Sequence, residues 1–114
     1  RMDQQSQPPY PTTTSEEPFV IIAGHYRVDR QHRDNLIATF EDLVTRARGA
    51  EGAIHIAITA DSVDPERVNV LEVWRDSEAL DRWRERANGP ELELEMRDMH
   101  IKRYDAYEGG PLFD

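Results

Sequence analysis

Two different apolar rhythms meet in this chain, and their junction restricts the fold more than any other feature. Between Asp29 and Gly49, the residues Leu36, Ile37, Phe40, Leu43, Val44 and Ala47 recur at helical spacing. This predicts one amphipathic helix, with Asp29 as a candidate N-cap and Gly49 as the residue that ends it. Immediately afterwards the period falls to two: Ile54, Ile56 and Ile58 alternate with His55, Ala57 and Thr59. Such alternation predicts a strand over 53–60. An apolar stripe on a helix and an apolar row on a strand are each stable only when they cover one another, so the chain must stack a helix on a sheet.

The remaining segments complete a recognisable order. Residues 19–28, Phe-Val-Ile-Ile-Ala-Gly-His-Tyr-Arg-Val, are rich in β-branched and aromatic side chains and read as a buried strand. A turn over 61–67 containing Pro65 leads to a third strand over 68–75, so the second and third strands form a hairpin. Asp76 or Ser77 can cap a second helix with Ala79, Leu80, Trp83 and Ala87 on one side, and Asn88-Gly89-Pro90 stops it. Over 90–96 the helix-favouring Glu, Leu and Met residues predict a short helix, although Leu92, Leu94 and Met96 alternate as in a strand. Residues 99–107, with Ile101, Tyr104 and Tyr107, form a last strand that Glu108-Gly109-Gly110-Pro111 ends.

The order β-α-β-β-α-β is the split βαβ of ferredoxin-like α+β folds, with helices on one face of an antiparallel sheet. The other face must also be hidden from water, and the sheet of a second subunit would do this. Residues 1–18, rich in Gln, Ser, Thr and Pro, read as a flexible tail; 19–108 form the domain and 109–114 a short carboxy-terminal tail.

Composition narrows the function classes. Against 14 Lys and Arg stand 23 Asp and Glu, a formal net charge of -9, which repels nucleic acid and anionic lipid surfaces. The absence of cysteine removes disulfides, thiolate metal sites and Cys nucleophiles. The longest apolar stretch, 19–23, is far short of the ~20 residues a membrane span needs, and no signal peptide precedes it. A cytoplasmic protein is the expectation. The four histidines, His25, His32, His55 and His100, stand singly, none at the spacing of a zinc site on a helix, so no metal is expected. Phosphate-binding glycine loops and a Gly-x-Ser-x-Gly elbow are also absent from the sequence.

The element order, Gly52 at the start of the second strand, and above all Leu71-Glu72-Val73-Trp74-Arg75-Asp76-Ser77-Glu78-Ala79-Leu80 resemble the antibiotic biosynthesis monooxygenase family. Its members show a Glu-x-Trp strand end running into an acidic helix containing Ala-Leu. The resemblance implies a homodimer built as a dimeric α+β barrel, with a ligand pocket between sheet and helices. It further implies oxidation of an electron-rich aromatic, polyketide-like phenol with dioxygen as co-substrate and no cofactor. Once deprotonated, such a substrate supplies the electrons itself, and the protein orients it, takes a proton and excludes water.

His25, late in the first strand, is the leading candidate base, because a histidine is readily set to accept a proton near neutral pH. Trp83, placed by helical spacing toward the sheet, is the second candidate catalytic residue, a flat wall for a planar substrate. Tyr26, Trp74 and Tyr104 are candidate substrate contacts. Core packing explains Trp83 equally well, and Trp74 with Glu72 is architectural first. In the haem-degrading branch of the resemblance, an Asn on the first strand, a Trp on the second helix and a His ten residues later surround the porphyrin. By ungapped alignment those positions hold His25, Trp83 and Glu93, and the missing histidine argues against haem degradation. The alternatives on the same fold are a non-catalytic dimeric module that binds a small molecule and a cofactor-free isomerase or cyclase.

Overall fold

In a computed structural model, the structure describes residues 17–113. The tail expected over 1–18 therefore lies outside the described residues, apart from Glu17 and Pro18. The elements are β1 (Phe19–Arg27), α1 (Arg30–Thr39), α2 (Glu41–Arg48), β2 (Ala53–Ala60), β3 (Arg67–Trp74), α3 (Ser77–Arg86) and β4 (Arg97–Ala106). The strands form one antiparallel sheet in the order β2-β3-β1-β4, with three helices packed on it, the ferredoxin-like α+β arrangement.

The strand alternation sorts the side chains. Val20, Ile22 and Tyr26 of β1 and Val68 and Trp74 of β3 are buried beneath the helices. Their neighbours Ile21, Ala23 and His25, with Leu71 and Val73, form the opposite face of the sheet, which no element of the described chain covers. The helix-facing layer holds two apolar clusters. One gathers Leu80 and Trp83 of α3 with Val20, Ile56 and Trp74. The other gathers Leu36 of α1 with Tyr26, Val28 and Val68.

Those two clusters explain a departure from the predicted single helix. The helix breaks at Phe40, whose φ of -86° and ψ of 0° close the end of α1. Before the break, Leu36, Ile37 and Phe40 face the Tyr26 cluster; after it, Leu43, Val44 and Ala47 face the Trp74 cluster. The break lets two short stripes follow a twisted sheet. Gly49 ends α2 as expected, with φ -89° and ψ -2° in the right-handed region. Asp29 stands at the N-cap of α1 but makes no side-chain cap bond, whereas Asp76 Oδ1 accepts the Ala79 N–H at 2.8 Å and caps α3.

The short helix predicted over 90–96 is absent. Residues 87–96 run as a strap without helix or strand, and Leu92 and Leu94 turn inward onto the Tyr26 cluster while Glu91, Glu93 and Glu95 stay exposed. Pro90 and the alternation of Leu with Glu decide the conformation here, overriding the helix preference of the individual residues.

Two glycines permit close approaches. A Cβ on Gly24 would lie 1.8 Å from the His100 carbonyl oxygen, so β1 and β4 can pair at this point only without a side chain. At Gly52, with φ +88°, a Cβ would meet that of Ala79 at 2.4 Å, so glycine allows α3 to seat on the entry to β2. One extra residue, Ile54, bulges from β2 between Ala53 and His55, which leaves this isoleucine 43% exposed instead of in the buried row.

Candidate functional site

The sheet divides the residues singled out from the sequence into two groups. Tyr26, Trp74 and Trp83 lie in the helix-facing layer, and His25 and Tyr104 lie on the uncovered face. Period-two alternation makes this unavoidable, since His25 and Tyr26 are successive residues of one strand. His25 and Trp83 therefore stand on opposite sides of the sheet and cannot touch one small molecule. Glu93 sits exposed on the strap, so the three positions aligned with the haem-degrading triad do not converge on one side of the sheet.

In the helix-facing layer, Trp74 is fully buried and stacks on Trp83, ring centres 6.3 Å apart. Its indole N–H donates to Glu72 Oε1 at 2.9 Å. Guanidinium groups of Arg46 and Arg86 lie 5.6 and 5.3 Å from the Trp83 ring. The two indoles thus form a stacked wall between β3 and α3, with the Trp74 N–H satisfied by Glu72.

Tyr26 differs. The residue is 4% exposed, and its hydroxyl makes no hydrogen bond to any described residue. Around it lie Leu36, Phe40 and Ile101, with Leu92 and Leu94 of the strap closing the cluster. Burial pushes the phenol above its ordinary pKa, so the hydroxyl stays a proton donor. A buried tyrosine whose hydroxyl has no partner among the described residues is uncommon. Strand alternation puts Tyr26 in the row of Val20 and Ile22, which the structure shows to be the buried one; the strap above it was hidden by the helix-like composition of 90–96.

On the uncovered face, His25 pairs across strands with His100, ring centres 5.3 Å apart. Tyr104, half exposed, stands opposite Ile21. A groove of about 410 Å³ is lined by Phe19, Ile21, Ile54, His55, Val73 and Tyr107 among others. Among the described residues no group of three or more His, Asp or Glu side chains is placed to hold a metal. Nor is any helix among them long and apolar enough to cross a membrane.

The turn between β2 and β3 closes one end of the sheet with an ionic network. Asp61 accepts the N–H groups of Val63 and Asp64 and the amide of Asn69 at 2.8–3.0 Å. These bonds, the one from Asn69 foremost, hold its carboxyl at a pKa of about 2. Arg27 bridges Asp64 and Glu66, and Arg33 donates to the Asp64 carbonyl at 2.9 Å.

A sheet of this order with split helices packed on one face, and two apolar clusters between them, defines a ferredoxin-like α+β domain. Residues 19–88 match the family described as antibiotic biosynthesis monooxygenase, and the chain belongs to that family. Among solved structures, it is similar to a proposed antibiotic biosynthesis monooxygenase from Deinococcus radiodurans, with 18% identity and a TM-score of 0.60 over 83% of this chain and 99% of that one. A protein from Pseudomonas aeruginosa gives 22% identity and a TM-score of 0.60 over 85% and 99%. The haem degrader MhuD from Mycobacterium tuberculosis, with two haems bound in its active site, gives 15% and 0.58 over 82% and 100%. At these identities the likeness is one of fold. No curated protein sequence matches the chain.

Proposed function

We propose that this protein is a cofactor-independent monooxygenase that oxidises an electron-rich aromatic, phenolic small molecule with dioxygen. The observation that carries the reading is the Tyr26 hydroxyl, which has no hydrogen-bond partner among the described residues and lies in the cluster that the 87–96 strap packs on, in a member of this family. A phenolic oxygen placed against it accepts its hydrogen bond, and a donor at that oxygen favours the anionic form of the substrate, whose proton passes to solvent as it binds. The anion gives an electron to dioxygen; one oxygen atom enters the substrate as a carbonyl and the other leaves as water with, in net, two substrate hydrogens. Apolar side chains around the site exclude water from the reactive anion. The molecule enters by displacing Leu92 and Leu94, and the stacked Trp83 and Trp74 keep the sheet and α3 rigid beside it. His25, across the sheet, takes no part in this reading, and neither does Tyr104. The uncovered face, with Ile21, Leu71 and Val73, is assigned to the sheet of a second subunit, which the family resemblance implies.

The test is oxygen uptake by the chelator-treated protein with a model anthrone, set against the spontaneous rate and against Tyr26→Phe and His25→Ala. Uptake above background, lowered by Tyr26→Phe and unchanged in His25→Ala, is expected. A ligand returned intact would identify a binding module, and turnover that persists without oxygen would identify an isomerase; either would overturn the oxygenase reading. Loss of uptake in His25→Ala with Tyr26→Phe unaffected would move the site to the other face.

A further inference from the structure

The two histidines on the uncovered face have a relationship that neither shows alone in the sequence. His25 of β1 and His100 of β4 are direct cross-strand partners, and their rings stand with centres 5.3 Å apart and planes inclined by 42°. We propose that this pair is a two-point chelate for a late first-row divalent cation such as Zn²⁺ or Ni²⁺, separate from the site at Tyr26.

The geometry suits such an ion. With metal–nitrogen bonds of about 2.0–2.1 Å and a tetrahedral angle, two imidazoles on one ion have ring centres about 5 Å apart. The ring centres of the pair already stand close to that spacing. Both side chains are anchored on hydrogen-bonded strands, and Gly24, beside His25, lets those strands approach where any Cβ would strike the His100 carbonyl. Imidazole pairs select zinc, nickel and copper over magnesium and calcium, which take oxygen ligands.

The surroundings set the limits of the site. On the β3 side, Asn69 stands opposite His25, but its amide donates to Asp61 at 2.9 Å and its oxygen accepts from Arg67 at 2.7 Å, so it is committed elsewhere. Arg27, two residues from His25, is neutralised by Asp64 and Glu66. Lys102, two residues from His100, stands opposite Ala23. Since no third His, Asp or Glu among the described residues joins the pair, water or a group on the second subunit's sheet fills the remaining positions. His55 lies in the row of Val73 and Ile21, and His32 is on α1, so neither belongs to the chelate. They serve as internal controls.

The experiment is equilibrium dialysis of the full, chelator-stripped chain against NiCl₂ and ZnCl₂ in a non-coordinating buffer, with folding checked by circular dichroism. One saturable ion per His25–His100 pair is expected. His25→Ala and His100→Gln should each abolish it, and the double variant His32→Ala/His55→Ala should retain it. With Cu²⁺ in place of Ni²⁺, the paramagnetic resonance spectrum should show coupling to two imidazole nitrogens. No saturable binding, binding that survives loss of either His25 or His100, or loss in the His32/His55 variant would each overturn the assignment. Because His25→Ala is expected to leave oxygen uptake intact, the outcome is independent of the reading at Tyr26.

Discussion

Trp74 and Glu72, two residues apart on β3, are joined by a hydrogen bond of 2.9 Å from the indole N–H to Oε1, inside the layer between sheet and helices. Residues so spaced share one face of a strand, and here the carboxylate satisfies the one polar atom of a fully buried tryptophan. Glu72→Ala strands that N–H without a partner, which costs about 1–3 kcal/mol. Urea unfolding should show the loss, and Glu72→Gln, which keeps an acceptor, should recover most of it.

Gly24 is expected to be intolerant. In Gly24→Ala the new methyl meets a backbone oxygen of β4 that no rotamer change can move aside. The strands must separate, at a cost of about 3 kcal/mol, the upper end of what overpacking usually brings. Hydrogen exchange should locate the loosened amides in β4 and the second half of β1, with β2 and β3 little affected. The same variant should also lose metal binding at His25 and His100.

The turn network makes stability depend on acid. Asp61 titrates at about 2 in the folded chain, below the ordinary value near ~4 that it has when unfolded. A depressed folded pKa means stability that is present above about pH 4 and is lost as the pH falls toward 2. Asp64, lowered mainly by the Glu66 N–H, and Asp76, lowered mainly by the Ala79 N–H, act in the same direction. The urea midpoint should fall between pH 5 and pH 2, and the slope should be shallower in Asp61→Asn.

The assembly reading is checked by sedimentation. Leu71, 39% exposed at the centre of the uncovered face, lies between Ala23 and Ala57 in the neighbouring strands. If two sheets pack there, Leu71→Arg places a charge in the contact and should convert dimers to monomers with the fold intact. An unchanged sedimentation coefficient, with the parent chain already monomeric, would leave the face without its assigned cover.

Much of this architecture was legible because period and punctuation agree. The switch from helical spacing to alternation around Gly49–Gly52, the cap at Asp76 and the Glu72-x-Trp74 end of β3 each place an element that the structure contains. What was not legible depends on contacts distant in sequence. Phe40 breaks a helix because the two ends of that helix serve different clusters, and the strap over 87–96 is extended because Leu92 and Leu94 have somewhere to go. For the site, composition picked out His25 and Tyr26 together, whereas strand geometry sends them to opposite faces. The partnership of His25 with His100 is a matter of register, which residues 75 positions apart in the chain do not announce.

The stacking of Trp74 on Trp83 also decides what light can report about this molecule. These are the two tryptophans of the sequence, and they sit in one place, on β3 and α3. Excitation of either indole is shared with the other, so emission senses a single event, the undocking of α3 from the sheet. Far-ultraviolet dichroism averages over every strand and helix instead. Coincidence of the two unfolding curves would mean that α3 departs together with the sheet, while an earlier change in emission would mark that helix as the first part of the domain to let go.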